Sequence, residues 1–197
     1  MNKKYNFILA SASPRRKELL STYIHDFKIM PADIDESFPK ELENENVPLY
    51  LAKMKAEVLK ENLKENDIII TADTIVLLDD TIYGKPSSKE DAFNMIKHLS
   101  NKEHKVITGV CCFSINGLID ITFSDVTYVK FTSLSDKIIY DYLEKDEYKD
   151  KAGAYAMQGY AACFVEKING SYDNVVGLPV GRLMRELLKY NINIFQI

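Results

Sequence analysis

Short apolar runs at residues 7–10, 27–30, 68–72 and 75–78 alternate with stretches whose apolar side chains recur every three to four positions. That alternation is the signature of an α/β protein. The first helix is the best signposted: Ser13 suits the N-cap, Pro14 the first helical position, and Leu19 and Leu20 begin an apolar stripe that runs to a turn near Tyr23. A second helix is predicted from residue 48 to about 62, with Leu51, Met54 or Lys55, Val58 and Leu59 on one face. A third is predicted from the Ser88-x-x-Asp91 capping box to Leu99.

The middle of the chain differs, because 105–115 and 118–131 are long extended runs joined by Asn116-Gly117, a strong hairpin signal. Helices are expected at 136–143 and 180–188, a strand at 161–168, and glycine-bearing loops at 153–159 and 170–177. No linker, repeat or low-complexity segment interrupts this order. At 197 residues the chain fits one domain, expected over 1–197 as two lobes around a mixed sheet with a central cleft. Its 46% hydrophobic content supplies a core and excludes overall disorder.

A net charge of −4 argues against non-specific attachment to nucleic acid or acidic lipid, so an anionic ligand must meet a local basic cluster. No run of about 18 apolar residues occurs, and the N-terminal apolar stretch is too short for a signal peptide. Cys111, Cys112 and Cys163 make an odd count whose first two members are neighbours, which points to structural thiols in a reduced, cytoplasmic compartment. His25, His98 and His104 lack the spacing of a metal-ligand pair, and no Cys-x-x-Cys occurs.

The usual glycine-rich phosphate cradles are absent. In their place Leu9-Ala10-Ser11-Ala12-Ser13-Pro14-Arg15-Arg16 ends a strand, presents hydroxyls and opens a helix with two guanidinium groups in its first turn. Cations are unfavourable at a helix N-terminus unless an anion arrives, so free N–H groups and both arginines suit a phosphate. A Ser cap with two surface arginines is the structural alternative. In Thr71-Ala72-Asp73-Thr74 a carboxylate interrupts two apolar runs, where it reads either as a cleft base or metal ligand at a strand end, or as a turn former. Asp33, Asp35 and Glu36 offer oxygen ligands for a cation, or an exposed acidic loop. Lys53, Lys55 and Lys85 add cations that could share a polyphosphate charge, or are surface lysines. No local Ser-His-Asp or Cys-His signature favours covalent catalysis. Together these residues suggest metal-assisted hydrolysis of a phosphate compound.

The segment from Leu9 through Arg16 to Leu20 resembles the opening signature of the Maf family of nucleoside triphosphate pyrophosphatases. Ala72-Asp73-Thr74, Gly84-Lys85-Pro86, the stretch from Asp150 to Gly159 and the stretch from Ile168 to Pro179 resemble further blocks of that family, in order. The resemblance implies an α/β fold similar to that of inosine triphosphate pyrophosphatases and a homodimer. It implies hydrolysis of a nucleoside triphosphate to the monophosphate and pyrophosphate, with a divalent cation, Mg²⁺ or Mn²⁺. By the same resemblance Asp73 matches the proton acceptor; Ser11, Arg16, Lys55 and Lys85 would hold the triphosphate; Glu36 and Asp73 would lie nearest the metal and the water.

Within that family a branch acting on dTTP and UTP and a branch acting on 7-methyl-GTP differ at three places, where this chain carries Arg15, Thr74 and Gln158. All three resemble the pyrimidine branch. Gln158 offers both a donor and an acceptor, matching O4 and N3–H of uracil or thymine. The expectation is therefore a dTTP/UTP pyrophosphatase. Its alternatives are a pyrophosphatase for 7-methyl-GTP or modified nucleotides and, in another class, a nucleotide-binding regulator of septum formation. Neither nucleic acid nor membrane is an expected partner.

Overall fold

The computed structural model of the chain describes residues 5–193. Residues 1–4, which open the segment expected not to be a signal peptide, lie outside the described residues. Strand β1 (Asn6–Leu9) leads through α1 (Pro14–Ser21) to β2 (Phe27–Ile29), which pairs parallel to β1 with Phe7 opposite Phe27 and Leu9 opposite Ile29. Helix α2 (Val47–Glu57) carries the chain back to β3 (Asp67–Leu78), parallel to β1 on its other side, with Asn6 opposite Asp67 and Leu9 opposite Ile70. Then follow β4 (Thr81–Tyr83), antiparallel to β3, α3 (Lys89–Leu99), β5 (Glu103–Ser114), β6 (Asp120–Phe131) and α4 (Asp136–Leu143). Strand β7 (Val165–Asn169), antiparallel to β6, α5 (Tyr172–Val176) and α6 (Val180–Lys189) complete the order. The seven strands form one mixed sheet in the order β2-β1-β3-β5-β6-β7, with β4 added on β3, so the expected α/β class is the observed one.

The backbone gathers into two compact units. The first comprises the residues up to Asp73, Thr108–Asp125 and those from Gly177 onward; the second comprises Thr74–Ile107 and Val126–Val176. In the first unit the period-two alternation of the strands sorts side chains onto two faces. Phe7, Leu9, Ile68, Ile70, Ala72, Val110 and Cys112 share a core with Leu20 of α1 and with Val180, Leu183, Met184 and Leu187 of α6. Ile8, Ala10 and Ile69 turn the other way, toward Leu59, while Ala52 and Ala56 of α2 lie on Cys111. Each such fully buried Leu or Ile contributes roughly 1.5–3 kcal/mol. The second unit has its own core, in which Ala92, Ile96 and Leu99 of α3 and Ile139, Tyr142 and Leu143 of α4 surround Val129, Phe131 and Phe164.

Several local expectations change. The two runs flanking Asp73 are one continuous strand, so Asp73 lies in mid-strand and not at a strand end. The predicted second helix ends at Glu57, and residues 60–62 form a separate 3-10 turn. Residues 160–164 are 3-10 as well, so the strand expected from 161 begins only at Val165. The expected loop at 170–177 contains α5, bracketed by Gly170 and Gly177 at φ 133° and 121°, backbone that favours glycine. Ser88 caps α3 by accepting from the Asp91 N–H at 3.0 Å, but the Asp91 carboxylate accepts from the Ser87 N–H at 2.8 Å, one residue earlier than a capping box requires. The hairpin forms as expected, with Gly117 at φ 70° and its N–H donating to the Ser114 carbonyl at 3.0 Å. Cys111, Cys112 and Cys163 are all unbridged, the first two buried and Cys163 exposed. Among the described residues no helix is long and apolar enough to cross a membrane.

Candidate active site

Helix α1 begins as its sequence dictates. Ser13 Oγ accepts from the Arg16 N–H at 3.5 Å, Pro14 occupies the first turn, and no acidic residue offsets the dipole there. Ser11, buried at the end of the β1 strand run, accepts at Oγ from the Ser13 N–H at 3.2 Å and from Arg16 Nη1 at 3.4 Å. Arg16 Nε donates to the Gly177 carbonyl at 2.7 Å, in the turn that precedes α6. The guanidinium is thereby oriented from both sides. Desolvation weighs against its charge, while Asp73 and, less, Glu36 support it and Arg15 opposes it.

Across from this helix start, Lys55 projects from the buried face of α2 and Asp73 from β3. Lys55 Nζ lies 2.6 Å from Asp73 Oδ1 and 2.8 Å from Glu36 Oε1. Lys55 and Asp73 are 9% and 8% exposed, whereas the Glu36 side chain is half open to solvent. Burial of a carboxylate in mid-strand is tolerated because the ammonium compensates it. Desolvation raises the Asp73 carboxyl above the ordinary carboxylate range, the Lys55 charge and hydrogen bond and then the Arg16 charge pull it back, and Glu36 adds to the rise. The net direction is upward from the ordinary value of a carboxylate, in a group held among cations.

Of the expected residues, Ser11, Arg16, Glu36, Lys55 and Asp73 therefore form one connected set, all within the first unit. Arg15 adjoins it through its charge on Arg16. Of the other acidic candidates, Asp35 accepts from the Ser37 N–H at 3.0 Å and from Ser37 Oγ at 2.9 Å in a local turn. Lys53, two positions from Lys55 and so on another side of the helix, is exposed. Thr74, Lys85 and Gln158 belong to the second unit. There Lys85 is an exposed residue after β4, and Gln158 is exposed in a turn closed by the Gly159 N–H on the Ala156 carbonyl at 3.0 Å.

Two carboxylate oxygens converging on one ammonium form a hard-oxygen donor pair around a point of positive charge, which suits Mg²⁺ or Mn²⁺. Among the described residues no group of three or more His, Cys, Asp or Glu is placed to hold a metal ion by itself. Sequence reasoning gave no role to Gly177, whose carbonyl acts through the backbone and leaves no side-chain signal. It gave none to Thr71 either, although period-two alternation places Thr71 on the same face of β3 as Asp73.

A dTTP/UTP pyrophosphatase of Ruminiclostridium cellulolyticum is 44% identical over 195 residues, 97% of this chain and 99% of that protein. A dTTP/UTP pyrophosphatase of Clostridium botulinum is 48% identical over 179 residues, 89% of this chain and 94% of that protein. The solved Ham1 protein of Staphylococcus aureus matches 64% of this chain and 71% of its own, with a TM-score of 0.47 at 12% identity. A family profile described as Maf-like protein matches residues 6–190. With the family profile covering nearly the whole described chain and relatives at 44% and 48% identity over most of their length, the chain belongs to the Maf family.

Proposed function

We propose that this protein hydrolyses nucleoside triphosphates, dTTP and UTP in the first place, to the nucleoside monophosphate and pyrophosphate. The observation that carries the reading is Lys55 Nζ set between the carboxylates of Asp73 and Glu36, beside the Arg16 guanidinium. The names of the curated relatives support the substrate class.

The chemistry follows from charge. The N–H groups at the start of α1, Ser11 and Arg16 offer donors to a triphosphate, and its oxygens give the Lys55 ammonium an anion that competes with Asp73. Released from that ion pair, Asp73 accepts a proton from water as the water oxygen attacks the α-phosphorus in line, and pyrophosphate departs with the electrons of the broken P–O bond. Glu36 and Asp73 would hold the divalent cation, which supplies charge neutralisation on the phosphates and polarises them. The resemblance assigns Lys85 to phosphate binding and Arg15, Thr74 and Gln158 to the choice of base. A cytoplasmic homodimer rests on the same ground.

A panel of canonical and modified triphosphates with Mg²⁺ or Mn²⁺, read for pyrophosphate, tests the reading. Pyrophosphate from dTTP and UTP, released far more slowly by Asp73→Asn, is the expected result. Tight nucleotide binding with no pyrophosphate from any member would leave a regulator in place of an enzyme.

A further inference from the structure

Lys55 reaches Asp73 only because α2 lies very close to the sheet, and the contacts that set this closeness lie outside the ionic cluster. At Gly109 of β5 a Cβ would stand 2.3 Å from the Leu49 nitrogen, 2.4 Å from the Leu49 Cα and 2.4 Å from the Pro48 carbonyl carbon. All three are backbone atoms, so no rotamer change would relieve the clash and any side chain at Gly109 would lift the first turn of α2. One turn further along, Ala52 is fully buried, and the next small residue, Ala56, packs with it against Cys111.

The second contact is polar. Thr71, fully buried on β3, donates its hydroxyl to the Ala52 carbonyl at 2.7 Å, and the Cys111 carbonyl is a second, longer acceptor 3.3 Å from Thr71 Oγ1. Thr71 and Asp73 are two residues apart on one face of the strand, and Ala52 and Lys55 are three apart on one side of the helix. The two pairs, Thr71 on Ala52 and Asp73 on Lys55, thus form a two-point clamp that fixes both height and register. Hydrophobic packing of Ala52 and Ala56 alone is non-directional and tolerates sliding along the strand. A hydroxyl hydrogen bond in a dry interface does not.

We propose that Thr71 is a positioning residue: its hydroxyl, bonded to the Ala52 carbonyl, sets α2 over β3 so that Lys55 meets Asp73, with Gly109 providing the clearance. The proposal rests on the reading of Lys55 and Asp73 as active-site groups for its effect on turnover, but not for its effect on geometry.

The test compares Thr71→Val, which keeps the shape and removes the hydroxyl, with Thr71→Ser, which keeps the hydroxyl. Thr71→Ala carries the same comparison should the Val variant fail to fold. The first readout is peptide-mapped acetylation by acetic anhydride of the folded, nucleotide-free chain, with exposed Lys53 as internal reference. Lys55, paired and only 11% exposed along its side chain, should be protected in the parent. The hydroxyl-less variant should label at Lys55 several-fold faster relative to Lys53, while Thr71→Ser stays protected. The second readout is steady-state release of pyrophosphate from UTP. There kcat/KM should fall about ten-fold or more in the hydroxyl-less variant, in keeping with the cost of misplacing a catalytic contact. The Ser variant should remain within a few-fold of the parent. Gly109→Ala should reproduce the labelling change without touching Thr71. A folded, hydroxyl-less variant whose Lys55 labelling and kcat/KM both match the parent overturns the proposal, as does a Ser variant that fails as badly as Val. A parent that releases no pyrophosphate removes the functional reading alone, and the labelling comparison still decides the geometry.

Discussion

Arg16 Nε donates to the carbonyl oxygen of Gly177 at 2.7 Å, a bond between residues 161 positions apart that ties the start of α1 to the turn before α6. It anchors one edge of the guanidinium to the backbone, with Nη1 on Ser11 Oγ. An arginine held this way meets a phosphate with little rotamer entropy left to lose.

Replacing Arg16 by Ala removes a charged donor, so binding of a non-hydrolysable UTP analogue should weaken by about 1.5–3 kcal/mol. Apo stability feels two opposed effects: the lost bond to Gly177 costs about 0.5–1.5 kcal/mol, and relief of a cation at a helix N-terminus returns about 0.3–1 kcal/mol. Titration calorimetry and thermal melts of one preparation separate the two. A large stability loss with unaltered affinity would mark Arg16 as purely structural.

Asp73→Asn should lower kcat by roughly 10²–10⁴-fold, the range for a lost general base, with substrate binding retained. Burial raises the folded carboxyl above the unfolded 3.8, so the stability tied to its protonated form is present below that pH and is lost as pH rises through the folded value. Urea midpoints across this window should therefore fall more steeply in the parent than in Asp73→Asn. Near-parental turnover by the folded variant would take the base assignment away from Asp73.

Lys55→Met removes the ammonium that both carboxylates hold in the ligand-free chain. Without that competing charge, Mn²⁺ should bind the nucleotide-free variant on the order of ten-fold more tightly than the parent, as close-range Coulomb energies suggest. Electron paramagnetic resonance of free Mn²⁺ gives the comparison directly. Equal affinities would show that Glu36 and Asp73 are not the cation's ligands.

His104 supplies a pH dependence unrelated to the candidate site. It is 2% exposed, its Nε2 lies 2.9 Å from the Tyr155 hydroxyl, and its Nδ1 has no hydrogen-bond partner among the described residues. Burial lowers its pKa from 6.5 to about 4. For a depressed histidine the stability is present above the unfolded pKa and is lost as pH falls through the folded one, so the chain should lose roughly 3 kcal/mol between about pH 6.5 and 4. His104→Gln should flatten that slope even if it lowers the plateau. A parent and variant with parallel urea midpoints over this range would exclude a neutral buried ring.

With Gln158 reading the base, as proposed, Gln158→Glu should penalise UTP and dTTP selectively, because a carboxylate in its place offers O4 a second acceptor where a donor is needed, a mismatch worth roughly 1–3 kcal/mol. The measured quantity is kcat/KM for UTP against a purine triphosphate. Losses of equal size for both would mean that Gln158 supports its loop and does not read the base.

Sequence by itself determined the features whose physics is local. The Ser13 cap with Pro14 and two arginines, the Asn116-Gly117 hairpin, the first two strand runs and the ordered blocks that give the family are all short-range patterns, and each is present where the residues placed it. Tertiary structure decided whatever depends on partners far along the chain. Asp73 reads as a break between two strands until the Lys55 ammonium, 18 residues away, neutralises it and lets one strand run through. Asp33, Asp35 and Glu36 look equivalent in sequence, yet the ion pair to Lys55 is made by Glu36, while Asp35 is engaged by Ser37. Gly177 and Thr71 enter through a carbonyl and a hydroxyl whose partners lie across the fold, 161 and 19 positions away. Periodicity encodes which face a side chain takes; which group waits on that face is set by packing, and there desolvation makes a missing partner costly.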